Sequence, residues 1–240
     1  MNIILSPLLS QPISLKQRIA RAGTLIFDVD GTLAETEGIH RRAFNAAFLE
    51  CGTQWYWDRG TYKKLLRVAG GKERLRAYAR TLPQPQPLSD AQLAELHQVK
   101  TRHYARLIAQ HTCRLRPGVE AFIDDAVARR QTLAIATTTT LSNVEDLLSR
   151  ALGRHWRSLF SAVVAGDEVA RKKPAPDVYL EVLARLGQSA DECLAIEDST
   201  NGLKAAASAR IAVLISRSEY FRDDDFSSAL AVVDELTEVV

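Results

Sequence analysis

Two aspartates, Asp28 and Asp30, end a short apolar run in the stretch LIFDVDGTLAET, which spans residues 25–36. Alternate residues of an extended chain point the same way, so we expect both carboxyl groups on one side. Two adjacent carboxylates repel each other, and a divalent cation between them offsets that repulsion. A polar turn with a helix-capping aspartate is the alternative, and this stretch alone leaves both interpretations open.

Other residues that can do chemistry follow three later apolar runs. The run LAIATTTT ends in residues 137–140, RKKPAP contains Lys172 and Lys173, and CLAIEDSTNG continues into Glu197 and Asp198. A threonine run, a Lys-Pro loop and an acidic turn each have a purely structural interpretation. Taken together, they place acids, hydroxyl groups and a cation after successive apolar segments, which favours a common site.

These residues have to be positioned by an alternation of strands and helices. Apolar runs predict strands at residues 25–27, 132–137, 161–166, 193–198 and 211–216, and helices are expected to begin near Ser142, Asp177 and Asn201. This alternation predicts an α/β fold with a Rossmann-like parallel sheet and helices on both faces. Ligands of such sheets bind at the carboxyl ends of the strands, where the residues above stand.

A block of helices is predicted to interrupt the alternation after the first strand. Helical patterns cover residues 40–52, 58–82 and 89–110, and Ser89 with Gln92 forms a capping-box pattern. The proline-rich stretch TLPQPQPLSD predicts a stiff connector between two of these helices. We therefore predict a catalytic core of residues 21–36 and 112–240 and an inserted helical cap of residues 37–111, joined by hinges near Thr36 and Arg116.

The overall composition is that of an ordinary globular protein. The chain has 240 residues, of which 46% are hydrophobic and 25% charged, and its net charge is +2. This balance predicts no nucleic-acid or membrane partner, and no apolar run reaches the roughly 20 residues of a membrane span. Three widely spaced cysteines indicate reduced thiols. We expect a cytoplasmic monomer that acts on a small molecule.

Residues 1–20 are predicted to form a poorly packed N-terminal extension. The first 22 residues contain Lys16, Arg18 and Arg21 but no acid, which is a weak feature of a transit peptide. Pro7 and Pro12 interrupt the apolar stretch, so a simple extension is the favoured interpretation. Plastid import is the alternative if this segment is a targeting signal.

The residue types fit the hydrolysis of a phosphate ester. A carboxylate can attack phosphorus and form an aspartyl phosphate, which divides one difficult step into two, and Asp28 is predicted to be this nucleophile. Asp30 would protonate the leaving oxygen and then activate water. Thr137 and Lys173 would bind the transferring phosphoryl oxygens and offset their charge.

A magnesium site is predicted beside the nucleophile. Mg²⁺ prefers an octahedral set of oxygen ligands that includes one or two carboxylates, water and substrate phosphate. The side chains of Asp28 and Asp198 and the backbone carbonyl of Asp30 can supply such ligands, and Glu197 can hold metal-bound water. Mg²⁺ is therefore the predicted cofactor.

The same segments resemble the four motifs of the haloacid dehalogenase-like hydrolase superfamily. The matching segments are DVDGT, the threonine at the end of the second strand, KKPAPDVY and IEDSTNG, in that order. The helical insertion after the first motif is similar to the cap of subfamily I. A closer resemblance, to the CbbY-type phosphatases, is carried by DVDGTLAETE, HRRAFN, WYWDR, GGKERL, ATTTT and GDEVARKKPAPDVY.

The closer resemblance implies a substrate. CbbY-type enzymes dephosphorylate xylulose 1,5-bisphosphate, an inhibitor of Rubisco in the Calvin cycle of carbon fixation. A bisphosphate requires a second anion site, for which GGKER is the candidate because Gly70 and Gly71 admit close backbone approach and basic residues follow. The structural alternative is a helix start with solvated charges. The residues predicted to contact substrate are Glu35, His40, Arg42, Gly71, Lys72, Arg74, Thr138 and Thr139, with Tyr56 as a weaker candidate.

Other functions remain open at this point. A phosphosugar mutase resembling β-phosphoglucomutase would use the same catalytic residues, and another phosphatase substrate, such as phosphoglycolate, is also compatible. A dehalogenase is disfavoured because that branch dispenses with the second aspartate and the metal, whereas Asp30 and Asp198 are both present. A non-catalytic binding protein is disfavoured by the complete set of reactive residues.

Overall fold

A six-stranded parallel sheet forms the centre of the molecule, as the α/β prediction requires. The computed structural model describes residues 13–83, 88–110 and 114–240. The strands are β1 (Thr24–Phe27), β2 (Thr132–Ala136), β3 (Ala162–Val164), β4 (Cys193–Glu197), β5 (Ala212–Ser216) and β6 (Ala231–Val233). The strand order is β3-β2-β1-β4-β5-β6, with every neighbouring pair parallel. The first five strands were predicted from the sequence, whereas β6, a three-residue strand at the sheet edge, was not.

Helices cover both faces of this sheet because each strand buries apolar side chains on both sides. Leu25 and Phe27 of β1 pack into one apolar cluster with the helices of residues 15–21, 119–128 and 141–151, whereas Ile26 packs into a second cluster with the helices of residues 177–186 and 200–208. Each such buried side chain stabilises the fold by about 1.5–3 kcal/mol. The helices are α1 (Leu15–Arg21), α2 (Glu37–Glu50), α3 (Arg59–Leu65), α4 (Gly71–Thr81), α5 (Asp90–Gln110), α6 (Val119–Ala128), α7 (Leu141–Ala151), α8 (Asp177–Leu186) and α9 (Thr200–Ser208).

The sheet register brings the predicted reactive segments to one edge. Phe27, the last residue of β1, lies opposite Ile135 of β2 and Ile196 of β4. The backbone N–H of Asp28 then donates to the carbonyl of Ile196 at 3.0 Å. Residues that follow β1, β2 and β4 therefore emerge side by side at the carboxyl edge.

Helices α2–α5 lie between β1 and β2 in the chain, within the segment predicted to be the cap, and we use the name cap for these four helices. They have an apolar cluster of their own that includes Phe44, Phe48, Trp57 and Leu93. Trp57 is fully buried there, as expected of a residue that packs the cap interior. Helices α2 and α5 also contribute Ile39, Ala43, Tyr104 and Ile108 to one sheet-side cluster, which joins the cap to the core.

The helix predicted over residues 58–82 is wrong in one respect, because the structure divides it into α3 and α4. Helix α3 ends at Leu65, and α4 begins at Gly71 after Gly70, whose φ of 91° suits glycine. The capping box at Ser89 is confirmed: its N–H donates to Gln92 Oε1 at 2.9 Å, and the Gln92 N–H donates back to Ser89 Oγ at 3.2 Å. Residues 84–87 of the predicted connector lie outside the described residues.

The prediction of a poorly packed extension over residues 1–20 is wrong for residues 15–20. These residues belong to helix α1, whose Ile19 is buried against the sheet-side cluster. Gln131 Nε2 donates to the carbonyl oxygens of Ile19 and Ala22 at 2.8 and 2.6 Å, which ties α1 to the turn before β2. Residues 1–12, where the targeting question arose, lie outside the described residues. Within the described ranges, no helix has both the length and the apolar character needed to cross a membrane.

Candidate active site

One cavity lies between the carboxyl edge of the sheet and the cap. The strand ends contribute most of the predicted reactive side chains, and the cap contributes the facing wall. The sheet-side lining residues are Asp28, Asp30, Thr137, Thr138, Thr139, Thr140, Asn143, Lys173, Asp198, Ser199, Asn201 and Phe221. The cap-side lining residues are Glu37, His40, Phe44, Leu66, Ala69, Gly70, Gly71, Arg74, His97 and Lys100.

Lys173 is the centre of a buried charge network at the predicted nucleophile. Its Nζ lies 2.7 Å from Asp28 Oδ1, 2.5 Å from Glu197 Oε1 and 2.8 Å from the Ala136 carbonyl oxygen. Tyr179 donates its hydroxyl to the same Glu197 oxygen at 2.6 Å. Burial raises the pKa of Asp28 to about 7, although the charge of Lys173 opposes that increase. Lys173 therefore favours the ionised, nucleophilic form of Asp28.

The carboxyl groups of Asp28, Glu197 and Asp198 form a buried cluster that fits a divalent cation. One oxygen from each lies within 4.8 Å of the others, and Asp198 Oδ2 is buried without a hydrogen-bond partner among the described residues. Burial and the charges of Asp28 and Glu197 raise the pKa of Asp198 well above its usual range. A cation would relieve this mutual repulsion, and an all-oxygen set of donors suits Mg²⁺.

Gly31 allows the loop after β1 to pass against this cluster. Its φ is 85°, and a Cβ at this position would collide with the carboxyl group of Asp198. Glycine is therefore required here both for the backbone conformation and for the close approach. This is the physical reason for the Asp-Gly pair in the first motif.

Asp30 is held by a chain of hydrogen bonds that begins in the cap. Thr36 Oγ1 donates to Asp30 Oδ1 at 2.5 Å, and His40 Nε2 lies 3.0 Å from the same oxygen. Lys100 Nζ lies 2.8 Å from His40 Nδ1. Because an ammonium group can only donate, His40 Nδ1 accepts and Nε2 donates to Asp30. The His40 ring also stacks on Tyr104 at 4.2 Å, which fixes its plane.

The surroundings of both end groups shift their pKa values. Burial raises the pKa of Asp30, but the electrostatic interaction with the His40 ring and the hydrogen bonds from His40 and Thr36 outweigh burial and lower the pKa to about 2. Burial lowers the pKa of Lys100 to about 8. Asp30 is thus ionised in this state, and Lys100 titrates close to neutral pH.

The threonine run after β2 supplies hydroxyl and amide groups to the cavity. The Thr139 N–H donates to Thr137 Oγ1 at 3.3 Å, and Asn143 Nδ2 donates to Thr139 Oγ1 at 2.9 Å. Asn143 lies in the first turn of α7, so this helix begins at the cavity. The run therefore forms a short loop whose polar groups face the predicted phosphoryl position.

The GGKER segment reaches the cavity in part. Gly71 and Arg74 line it, whereas Lys72 lines an adjoining opening together with Lys172 from the core. A Cβ on Gly71 would lie 2.6 Å from His97 Nε2, so glycine is needed for the close contact. Burial, followed by the charges of Lys100 and Lys72, lowers the pKa of His97 to about 3. Glu73 and Asp167 line the adjoining opening as well, so both basic and acidic side chains surround it.

Three predicted substrate contacts are not among the described residues that line either opening. Glu35 turns away because its Oε1 accepts from the Glu219 N–H at 3.0 Å and lies 3.6 Å from Arg116 Nε. Arg42 is exposed on the outer side of α2, and Tyr56 is 67% exposed. The prediction that these three residues line the cavity is wrong for this structure, because they lie at the hinge or on the surface of the cap.

Arg116 stands at the predicted second hinge and is itself buried. Its guanidinium donates to the carbonyl oxygens of Gly31, Ser216 and Arg217 at 2.5, 3.0 and 2.6 Å. The loop after β1, the end of β5 and the segment that returns from the cap are therefore joined by one side chain. Glu35 belongs to this hinge contact and not to the cavity wall.

Sequence reasoning missed Lys100, Glu37 and Tyr62 at the site. Lys100 occupies a position on the apolar stripe of α5, between Leu96 and Tyr104, and is 3% exposed. A lysine on an otherwise apolar helix face was the available signal. Glu37 and Tyr62 carry no such signal, because their contact at 2.7 Å joins residues that are distant in the chain.

Comparisons with known proteins identify the family of this chain. A family model described as haloacid dehalogenase-like hydrolase matches residues 23–210. Protein CbbY of Rhodobacter capsulatus is 50% identical over 205 residues, which are 85% of this chain and 89% of that protein. A crystal structure of a CbbY variant from Rhodobacter sphaeroides in complex with xylulose 1,5-bisphosphate has a TM-score of 0.86 and 40% identity, covering 90% of this chain and 96% of that one.

A more distant structure shares the fold. β-Phosphoglucomutase of Clostridium difficile has a TM-score of 0.76 at 20% identity, covering 91% of this chain and 93% of that one. The extent of the family match and the identity to CbbY are decisive. The chain belongs to the haloacid dehalogenase-like hydrolases and is a phosphatase with a CbbY-like sequence.

Proposed function

We propose that this enzyme is a magnesium-dependent phosphatase for a sugar bisphosphate, with xylulose 1,5-bisphosphate as its substrate. The observation that carries the proposal is a single cavity with Asp28, Asp30 and Lys173 on the sheet side and basic cap residues opposite them. The complex of a CbbY relative with the same compound supports the choice of sugar.

In the first step, a carboxylate oxygen of Asp28 attacks the phosphorus atom. A bond forms between that oxygen and phosphorus, and the bond between phosphorus and the sugar oxygen breaks. Asp30 donates a proton to the departing sugar oxygen. The approaching phosphate dianion favours the protonated acid, because a nearby negative charge raises the pKa of Asp30. Lys173 and Thr137 stabilise the charge on the transferring oxygens.

In the second step, water attacks the phosphorus atom of the aspartyl phosphate. Asp30 takes a proton from this water, and the bond between phosphorus and Asp28 breaks. Inorganic phosphate leaves, Asp28 is restored and Asp30 is again protonated. Its hydrogen bonds from Thr36 and His40 keep the carboxyl group aimed at the reacting atoms.

The acidic cluster is proposed to hold Mg²⁺ through Asp28, Asp198 and the backbone carbonyl of Asp30, with Glu197 next to the ion's water ligands. When bound, the cation supplies positive charge that offsets the phosphate and the adjacent carboxylates. The unpartnered Asp198 oxygen and the raised pKa of this group support the assignment.

The second phosphate group is proposed to bind at the adjoining opening. Lys72 of the cap and Lys172 of the core both line that opening, so an anion there would bridge the two domains. His97 lines both openings, and burial, together with the charges of Lys100 and Lys72, lowers its pKa to about 3. A bisphosphate would thus hold the cap closed over its own sugar chain.

With this substrate, the enzyme would support carbon fixation. Removal of one phosphate group from xylulose 1,5-bisphosphate would eliminate an inhibitor of Rubisco. We propose a monomer that works in the cytoplasm and acts on small molecules.

Phosphate release from a substrate panel tests this proposal. The panel holds xylulose 1,5-bisphosphate, ribulose 1,5-bisphosphate, glucose 1-phosphate and phosphoglycolate, each with Mg²⁺ and with chelator. The expected result is a strong, metal-dependent preference for the xylulose compound. A flat profile, or preference for a monophosphate, would contradict the bisphosphate assignment. Isomerised monophosphate with little free phosphate would indicate a mutase.

A further inference from the structure

We propose that Tyr62 is a positioning residue that holds Glu37 and Arg74 on the cavity wall and thereby selects substrates with a hydroxylated carbon chain. The inference deepens the proposed function and rests on it. Tyr62 is fully buried and lies behind the wall, whereas Glu37 and Arg74 both line the cavity. Tyr62 therefore acts through these two residues.

The Tyr62 hydroxyl joins the other two side chains directly. It donates to Glu37 Oε2 at 2.7 Å and accepts from Arg74 Nη1 at 3.0 Å. A phenolic hydroxyl has one hydrogen and acceptor lone pairs, so it can make both bonds at once. Burial raises the pKa of Tyr62 well above its usual value, which keeps the donated proton on the hydroxyl.

Arg74 is also fixed from the opposite side. Its Nε lies 3.3 Å from the carbonyl oxygens of both Leu65 and Val68, at the end of α3, and its guanidinium lies 5.1 Å from the centre of the Tyr62 ring. The network thus joins α2, α3 and α4, and it sets where one carboxyl group and one guanidinium meet the cavity. With these partners, Arg74 has little freedom to follow a phosphate group.

The carboxyl group of Glu37 and the guanidinium of Arg74 can together form hydrogen bonds with neighbouring hydroxyl groups of a sugar. The carboxylate accepts hydrogen bonds and the guanidinium donates them, while the carboxylate charge repels a phosphate group placed directly against it. Lys72 and Lys172 line the adjoining opening instead. The stretch of wall formed by Glu37 and Arg74 therefore suits the neutral part of a substrate, between its two phosphate groups.

The variant Tyr62→Phe removes both hydrogen bonds and keeps the ring. The ring contacts of residue 62 with Trp57 and Tyr220, at 5.9 and 5.8 Å, remain available to phenylalanine. We expect kcat/KM for xylulose 1,5-bisphosphate to fall about tenfold, mainly through KM, since two hydrogen bonds to charged groups are lost. With p-nitrophenyl phosphate, which has no sugar hydroxyls, kcat/KM should stay within about twofold of the wild type.

Tyr78→Phe is the matched control, because Tyr78 packs on Trp55 and Trp57 and is not among the described residues that line the cavity. It should leave both substrates unaffected. Equal loss with both substrates in Tyr62→Phe would show a merely structural role and overturn the inference, as would no loss with either. A wild-type enzyme that hydrolyses p-nitrophenyl phosphate but no sugar phosphate would overturn the proposed function, and the role of Tyr62 with it.

Discussion

The two walls of the active cavity are positioned by different forces. On the sheet side, Asp28 and Asp198 follow strands whose register is set by backbone hydrogen bonds and by apolar clusters on both faces. On the cap side, Glu37, Arg74 and His40 are held by side chains that come from separate helices. The residues proposed for the chemical steps thus lie on the wall that backbone register positions, and the residues proposed for recognition lie on the wall that side-chain contacts position.

The ion pairs on the two sides also differ in how much they contribute to stability. The Lys173 network is buried on every side, and breaking a buried ion pair by removing one partner costs about 3–5 kcal/mol. The cap docks on the core partly through exposed pairs such as Arg59 with Glu219, whose side chains are 63% and 52% exposed. Damage to the sheet wall should therefore abolish turnover, whereas damage to the cap wall should weaken binding.

The largest expected effect is that of Asp28→Asn on the sheet wall. Loss of the nucleophile should lower kcat by at least about a thousandfold, because no other group can form the covalent intermediate. Circular dichroism should show an unchanged fold, and Asp124→Asn, on the exposed side of α6, is the control. Retained turnover in Asp28→Asn would contradict both the nucleophile and the comparison of the two walls.

The next largest effect on activity is expected for Lys100, a cap residue that is connected to Asp30 through His40. Lys100→Met removes the donor to His40 Nδ1, and we expect kcat/KM to fall about tenfold to a hundredfold, in line with loss of a charged hydrogen bond. In the wild type, Lys100 is charged below its pKa of about 8 and neutral above it, so activity should decline as pH rises through about 8. A pH profile of kcat/KM checks this.

The Lys100→Met variant should lack the decline in kcat/KM that the wild type shows above pH 8.

The free energy of unfolding of the wild type should instead increase as pH rises above 8, because burial penalises the charged form of Lys100. That penalty is present below pH 8 and disappears as pH rises towards the ordinary value of 10.5. Urea unfolding of both proteins at pH 7 and pH 10 measures it. If kcat/KM of the wild type does not change near pH 8, then Lys100 does not act through the hydrogen bonds that connect it to His40 and Asp30.

Substitution of Lys72, which lines the adjoining opening, should have a smaller effect that is limited to substrate binding. Lys72→Ala should raise KM for the bisphosphate about tenfold, the value of one charged contact, and leave kcat nearly unchanged. Lys64→Ala is the control, because Lys64 is exposed on α3 and is not among the described residues lining either opening. A fall in kcat without a change in KM would place Lys72 with the reacting atoms instead.

The smallest expected effect is at the exposed contact between cap and core. Arg59→Ala removes the pair with Glu219 and the contact with the Tyr220 ring. Because exposed pairs contribute about 0–1 kcal/mol, the free energy of unfolding should change by no more than that. Thermal unfolding and KM measure the result. A loss of several kcal/mol would show that surface charges, and not the buried clusters, hold the cap in place.

The sequence alone was sufficient for the fold class and for the sheet wall of the site. Parallel strands buried on both faces produce continuous apolar runs, and the residue after each run must emerge at the carboxyl edge. Asp28, Thr137 and Asp198 could therefore be placed together from chain position alone. The capping box at Ser89 was predictable for the same reason, since its two partners are three residues apart.

Tertiary structure decided the cap wall, the hinge and the N-terminal helix. The contacts of Glu37 with Tyr62 and of His40 with Lys100 join residues 25 and 60 positions apart, so no local pattern reveals them. Glu35 was misplaced for the same reason, because its partners, Glu219 and Arg116, come from distant segments. The positions of residues that follow strands are set by the backbone register of the sheet. The contacts of side chains between helices are set only by the way in which the helices pack, which the sequence does not show directly.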